Sequence, residues 1–519
     1  MSTFTYIVVG AGSAGCAAAS RLSEDPGATV LLVEAGGTDQ VDTVQVPPAW
    51  PANWGSETDW NLHTTAQEGL AGAEVPWARG RVIGGSSSIN GMIYLRGHGS
   101  NYDRWERGGA TGWGYESVLP FFKKMETAAG DPRWRGKSGP LRPAVVAEPN
   151  PLTLAYLEAA GATGHKTAPD FNADQHFGAN LHELTIVEGR RQSSAAAYLG
   201  LAAGRANLTV LSGALVRRLT FDGARCAGVE YEKDGVLGGA RAEEVVLSAG
   251  AIGSPQLLML SGVGPAEHLT SLSIPVVADL PGVGENLQDH LLAGVTYEAA
   301  EPLPPSVHNH GEASAAFSSG LRGPDVADVQ FLFILVPFHP PTLAPVQQGY
   351  TVGVALMAPR SRGTIRLRSA DPGDAPLIDP RYLSERSDAD ILVHGLERAR
   401  DLGGSAALAR WRRREAHPGA DPARGDLRAY LPQAASTYYH PVGTCRIGLD
   451  DLAVVDPLLR VRGVEGLRVA DASVMPDVPD ANTNAASIMI GERVAAFLSD
   501  ARGDTGVPAR VGVASPGQV

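Results

Sequence analysis

The sequence predicts an α/β protein of more than one structural unit, opening with a doubly wound nucleotide-binding fold. Three observations carry this. The stretch "TYIVVGAGSAG" puts the β-branched run Tyr6–Val9 directly before Gly10-x-Gly12-x-x-Gly15, which reads as strand, tight turn and helix start. A second apolar run, "TVLLVE", ends in Glu34, 19 residues after Gly15. The chain has 519 residues, long for a single core, so its units are expected to be several and possibly interleaved.

Each glycine of the first turn has a physical task. Gly10 allows the turn, Gly12 lets the backbone approach a pyrophosphate, and Gly15 lets helix and strand pack closely. Glu34 can bind a ribose 2′-OH, and the helix N-terminus favours the phosphate charge. The fingerprint does not distinguish NAD from FAD. Two later segments lean towards FAD. "EEVVLSAGAIGSPQLLMLSGVG" (243–264) is a strand, a turn and a helix, and "GLRVADASVMP" (466–476) is a strand ending in Asp471, a candidate partner for ribityl or phosphate groups. A ligand touched by segments so far apart is extended and enclosed, although spacing alone equally allows further strands of one sheet.

Composition narrows the class. With 43 Lys and Arg against 56 Asp and Glu, the net charge is −13, which disfavours nucleic-acid or anionic-membrane partners. Cys16, Cys226 and Cys445 are far apart and form no CxxC pair, as expected in a reduced, cytoplasmic setting. No signal peptide is legible. Apolar runs such as "VQFLFILVPF" (329–338) are about half a membrane span and suit buried strands. The segment 502–519 is rich in Gly, Pro and small residues and is expected to be a flexible tail.

The stretches "GRVIGGSSSINGMIYLRG" (80–97) and "GAIGSPQLLMLSGVG" (250–264) resemble the two signatures of the glucose–methanol–choline (GMC) oxidoreductases. "YYHPVGTCRIG", "LRVADASVMP" and "DANTNAASIMIGERVA" match further blocks of that family in its order, so the resemblance spans about residues 5–500. It implies a Rossmann-like FAD-binding domain (1–150, 200–295 and 440–500) interleaved with a substrate-binding domain on an antiparallel sheet (151–199 and 296–439). It also implies oxidation of a small-molecule alcohol, with O2 or another acceptor taking the electrons, in a monomer or homodimer.

The resemblance carries residue roles. Arg81, Gly85, Asn90, Gly91 and Met92 are expected to line the flavin, and Val216 to contact the adenine through its backbone. Further cofactor contacts are expected at Ser13, Ala14, Ala35, Val82, Ser86, Ile93, Ala249, Gly250, Tyr439, Ala472 and Thr483. "GGSSSIN" is too rich in Gly and Ser for a packed helix and suits backbone wrapped round a polar group. Trp60 is expected either near the cofactor or as a buried structural residue. Some relatives attach the flavin through a histidine just before the Asn of this block. Ile89 stands there, which implies non-covalent FAD.

His440, in "STYYHPVGTCRIG", has no neighbouring ligand for a metal. By resemblance it faces the flavin as the base. Counting back from "GER" (491–493) puts the second catalytic position at Asn482, with Asn484 its unused neighbour. A neutral imidazole can take the O–H proton while an amide holds the developing alkoxide. Asn482-Thr483-Asn484 is also a polar helix start, with Asn482 a candidate cap and the helix dipole aimed at the flavin.

Weaker signals remain. His308 and His310 lack a third metal ligand. "ARWRRREA" (409–416) reads as a solvated helix face. Phe331, Phe333, Val336 and Phe338 could line an apolar pocket or pack in a core. Two other activities are expected on the same fold, a hydroxynitrile lyase and a light-driven fatty-acid decarboxylase; the His–Asn pair favours alcohol oxidation.

Overall fold

The computed structural model describes residues 2–175, 177–419 and 426–503. The N-terminal unit has the expected order: β1 (Ser2–Val9), α1 (Ser13–Leu22) and β2 (Val30–Val33). β1 and β2 are parallel, Ile7 facing Leu31. Gly10 turns the chain at φ +97°, and a Cβ on Gly15 would lie 1.9 Å from the Gly10 carbonyl oxygen. α1 therefore packs onto the turn at a distance only glycine permits.

Around this unit the chain builds a seven-stranded sheet, in the order 208–211, β2, β1, 236–247, 225–233 and 214–222, with 467–469 also paired to 236–247. The first four of these strands and 467–469 are parallel; 225–233 and 214–222 are antiparallel additions. The core strands are apolar along their length, as a sheet covered on both faces requires. The C-terminal helix (Thr483–Ala501) packs on α1, and a Cβ on Gly491 would come within 2.3 Å of the Ala14 oxygen.

A second seven-stranded sheet runs 412–417, 291–299, 349–356, 329–334, 313–317 and 178–181, with 436–437 also on 291–299. Its pairs are antiparallel. "VQFLFI" (329–334) is buried at all six positions, a buried strand as its composition predicts. Strands of the two sheets alternate along the chain, so the α/β Rossmann-like unit and the antiparallel unit are interleaved. The expected domain boundary at 295 falls inside the strand Leu291–Ala299, which pairs only in the second sheet.

One expectation needs correction. The arginines of 409–416 do not form a helix face: Arg412–His417 is a strand at the edge of the second sheet. Arg413 and Arg414 pair with Glu298 at 2.8 and 2.7 Å, a charged edge that discourages further strand pairing. Phe331 and Phe333 are fully buried in the main core, Phe333 stacked 4.5 Å from Tyr156. Of the expected tail, residues 504–519 lie outside the described residues.

Candidate active site

A cavity of about 600 Å³ runs between the two sheets and is lined from both. On the first-sheet side its wall includes Gly10, Gly12, Ser13, Ala14, Glu34, Ala35, Gly85, Ser86, Val216, Ala249, Gly250, Asp471 and Ala472. Asn90, Gly91, Met92, Ile93, Tyr439, His440, Asn482, Thr483 and the rim residue Trp60 line it further on. Gly15, Arg81 and Val82 do not reach the wall. Gly15 is spent on helix packing and Val82 is fully buried beside Ala78 and Ile89. The Arg81 guanidinium turns outward over the Trp60 ring, 5.1 Å from its centroid. Trp60 is 38% exposed, so the buried structural reading of that residue fails.

The first-sheet end is shaped for a polar, phosphate-bearing molecule. Gly12 and Gly85 bring two backbones together: Gly85 has φ +54°, and a Cβ on it would sit 2.7 Å from the Gly12 Cα. The 3-10 turn Gly85–Ser88 thus closes over the start of α1. Glu34, at the end of β2, accepts from the backbone N–H of Ala11 and Gly36, each at 2.8 Å. Burial outweighs these bonds and pushes its carboxyl up to about 7. Asp471 accepts from the N–H groups of Gly250 (2.9 Å) and Ser473 (2.8 Å), tying the strand 467–469 to the helix Gly250–Leu260. A glycine cradle at a helix start beside a carboxylate fits an FAD adenosine and pyrophosphate.

At the other end stands His440. Its Nε2 lies 3.1 Å from the Asn482 amide nitrogen and its Nδ1 lies 2.9 Å from Nδ1 of His290. Its backbone N–H donates to Asp289 at 2.7 Å. Asp289 also accepts from Thr437 Oγ1 (2.6 Å) and from the Tyr382 hydroxyl; burial raises it to about 6. Burial, then His290 and Arg79, hold His440 well below the usual imidazole range, so the ring is neutral and a lone pair is available.

Asn482 occupies the N-cap position of the C-terminal helix, but its side chain makes no capping bond. It is turned to His440 instead. Asn484 lies one residue inside that helix, where its Oδ1 accepts from Ser13 Oγ at 2.7 Å. Sequence reasoning missed His290 and Asp289. Their signal was "NLQDH" (286–290), an Asp–His pair entering a buried strand. His310 lines the same cavity, its Nε2 2.8 Å from the Pro48 oxygen, whereas His308 does not reach the wall. Val336 and Phe338 do line the cavity, unlike the other two members of that group.

Family models described as GMC oxidoreductase match residues 4–292 and 359–491. The chain is 42% identical to the human mitochondrial choline dehydrogenase, over 95% of this chain and 89% of that one. It is 39% identical to the oxygen-dependent choline dehydrogenase of Brucella canis, over 94% of each. Among solved structures it is similar to pyridoxine 4-oxidase from Mesorbium loti, with TM-score 0.91 and 37% identity, covering 95% and 98% of the two chains. These relatives are oxidoreductases, which disfavours the lyase and decarboxylase readings. The chain belongs to the GMC oxidoreductases and is an FAD-dependent enzyme acting on CH–OH groups.

Proposed function

We propose that the protein oxidises a primary alcohol to the aldehyde, with His440 as the base and Asn482 holding the substrate oxygen. The observation that carries the reading is His440 Nε2 standing 3.1 Å from the Asn482 amide nitrogen on the wall of the shared cavity. An alcohol oxygen seated between these two groups loses its O–H proton to Nε2 while the amide N–H stabilises the alkoxide. The carbinol carbon then gives up a hydride, and R–CH2–OH becomes R–CHO. Bound FAD supplies the two-electron acceptor, with O2 or another acceptor taking the electrons afterwards.

The first-sheet segments would hold FAD and the second sheet would cover the substrate. Gly10, Gly12 and Gly85 would hold the pyrophosphate and Glu34 the ribose. The start of the C-terminal helix at Thr483 would face the flavin. Ile89, buried on the cavity wall, offers no nucleophile, so the cofactor would be held without a covalent bond. The three cysteines are free and buried, which suits a reducing compartment such as the cytoplasm. Anaerobic addition of alcohols to the yellow protein tests the reading. Bleaching of the flavin absorbance is expected, and acid should release free FAD into the supernatant. Flavin that no alcohol bleaches overturns the oxidation, and flavin that precipitates with the protein overturns the non-covalent attachment.

A further inference from the structure

We infer that the substrate is an uncharged primary alcohol bearing an apolar or aromatic group, not a quaternary ammonium alcohol. This rests on the alcohol-oxidation reading above and specifies its substrate class. Beside His440 the cavity wall is one apolar cluster, in which Leu292, Leu332, Ile334 and Tyr438 are buried with Val336 and Phe338 packed against them. Leu292 follows His290 by two residues, on the same side of an extended chain.

The charges are placed the wrong way for a cation. Among the described residues lining the cavity, the carboxylates are Glu34, Asp374 and Asp471. All three belong to the first-sheet side. Glu34 directly follows β2, Asp471 holds the start of the helix Gly250–Leu260, and the Asp374 carbonyl accepts from Gln256 of that helix. The charged side chain nearest His440 on the wall is Arg79, whose Nη2 donates to the Tyr439 carbonyl at 2.7 Å. A quaternary ammonium here would lose its water against leucine and isoleucine without a counter-charge on the wall, the Asp289 carboxylate behind it being taken up by the His440 N–H, Thr437 and Tyr382.

Aromatic faces could in principle compensate by cation–π attraction. Of the rings on the wall, Trp50, Tyr439 and Phe338 pack on Trp54, at 5.1, 4.9 and 6.2 Å between centroids, Tyr438 packs on His440 at 4.4 Å, and Trp60 is covered by Arg81 at 5.1 Å. They make a wall, not an open box. A neutral alcohol gains apolar burial against that wall and pays no charge desolvation.

Choline and its uncharged carbon isostere, 3,3-dimethylbutan-1-ol, differ in charge at nearly constant shape, so their comparison isolates the effect. Anaerobic stopped-flow reduction of the flavin holoenzyme should give kcat/KM at least about 10-fold higher for the isostere, with benzyl alcohol also a substrate. Choline equal to or better than the isostere overturns the inference and leaves alcohol oxidation standing. If choline, the isostere and benzyl alcohol all fail to bleach the flavin, the oxidation reading itself falls. Leu292→Glu, which places a carboxylate on the apolar wall, should narrow the preference for the isostere by about 10-fold. An unchanged ratio in a flavin-loaded L292E protein would remove Leu292 from the specificity wall, and the wild-type comparison decides the substrate class independently.

Discussion

His290 and His440 meet nitrogen to nitrogen, Nδ1 to Nδ1 at 2.9 Å, with ring planes 87° apart. Two imidazole nitrogens can share a hydrogen bond only if one carries the proton. The Asn482 amide nitrogen donates to His440 Nε2, so the His440 proton sits on Nδ1 and is given to His290. That leaves Nε2 unprotonated, its lone pair held by the Asn482 N–H until a substrate hydroxyl takes that place, the form a base needs. Burial holds His290 itself down to about 4, so it stays neutral and able to accept.

His440→Ala is therefore expected to slow flavin reduction by alcohol about 10²–10⁴-fold while FAD remains bound. His290→Phe, which removes the acceptor but not the base, should lower the reduction rate on the order of 10–100-fold with little change in substrate affinity. His290→Gln offers an acceptor oxygen and should recover part of the loss. A purely structural His290 would show instead in KM or melting temperature, with glutamine no better than phenylalanine.

Gly85→Ala should strip the protein of flavin. The residue has φ +54° and its new methyl would stand 2.7 Å from the Gly12 Cα, so the turn over the start of α1 must open. The ratio of flavin to protein absorbance after purification measures this. Gly37→Ala is the control, because its added Cβ meets nothing within 4 Å, and it should keep its flavin. Equal flavin content in the two variants would show that the close approach of Gly12 and Gly85 is not what holds the cofactor.

His182 gives a pH dependence separable from catalysis. It is 1% exposed, with Nδ1 2.9 Å from the Gly311 oxygen, and burial lowers it to about 4. Unfolded, it titrates near 6.5. Its neutral form therefore contributes stability above pH ~6.5, and this is lost as pH falls towards about 4, a span worth about 3 kcal/mol for an isolated group. Urea unfolding at several pH values in that window should show His182→Gln losing stability less steeply than wild type. Parallel curves would mean that the histidine is not held neutral.

What could be read from the sequence was what is local. The turn Gly10–Gly15 and Glu34 announce themselves within short windows, because backbone geometry and spacing dictate the residue types; the roles of Gly85 and His440 are legible only through the family resemblance. His290 did not, because its partner lies 150 residues away, and adjacency of Asp289 and His290 has no period to detect. Consecutive arginines at 412–414 likewise carry no hydrophobic period, so strand and helix look alike there. Arg81 lies inside the block 80–97, yet its side chain turns to Trp60. A motif fixes the path of the backbone more firmly than the aim of each side chain.

The separation of Asn482 from Asn484 tests the site at its finest grain. The two stand two residues apart at the start of one helix, and both line the cavity. Asn482 faces His440 Nε2, whereas Asn484 holds Ser13 at the start of α1. If the Asn482 amide stabilises the alkoxide, Asn482→Ala should slow flavin reduction by an amount equivalent to about 3 kcal/mol. Its melting temperature should hardly move, because the side chain makes no capping bond to lose. Asn484→Ala breaks a contact between the C-terminal helix and the glycine turn, so it should lower flavin retention and leave the reduction rate of the loaded fraction near wild type. Stopped-flow rates normalised to bound flavin separate these effects. A larger kinetic defect at Asn484 than at Asn482 would move the oxygen-binding role one helical step inward, and with it the seat of the substrate.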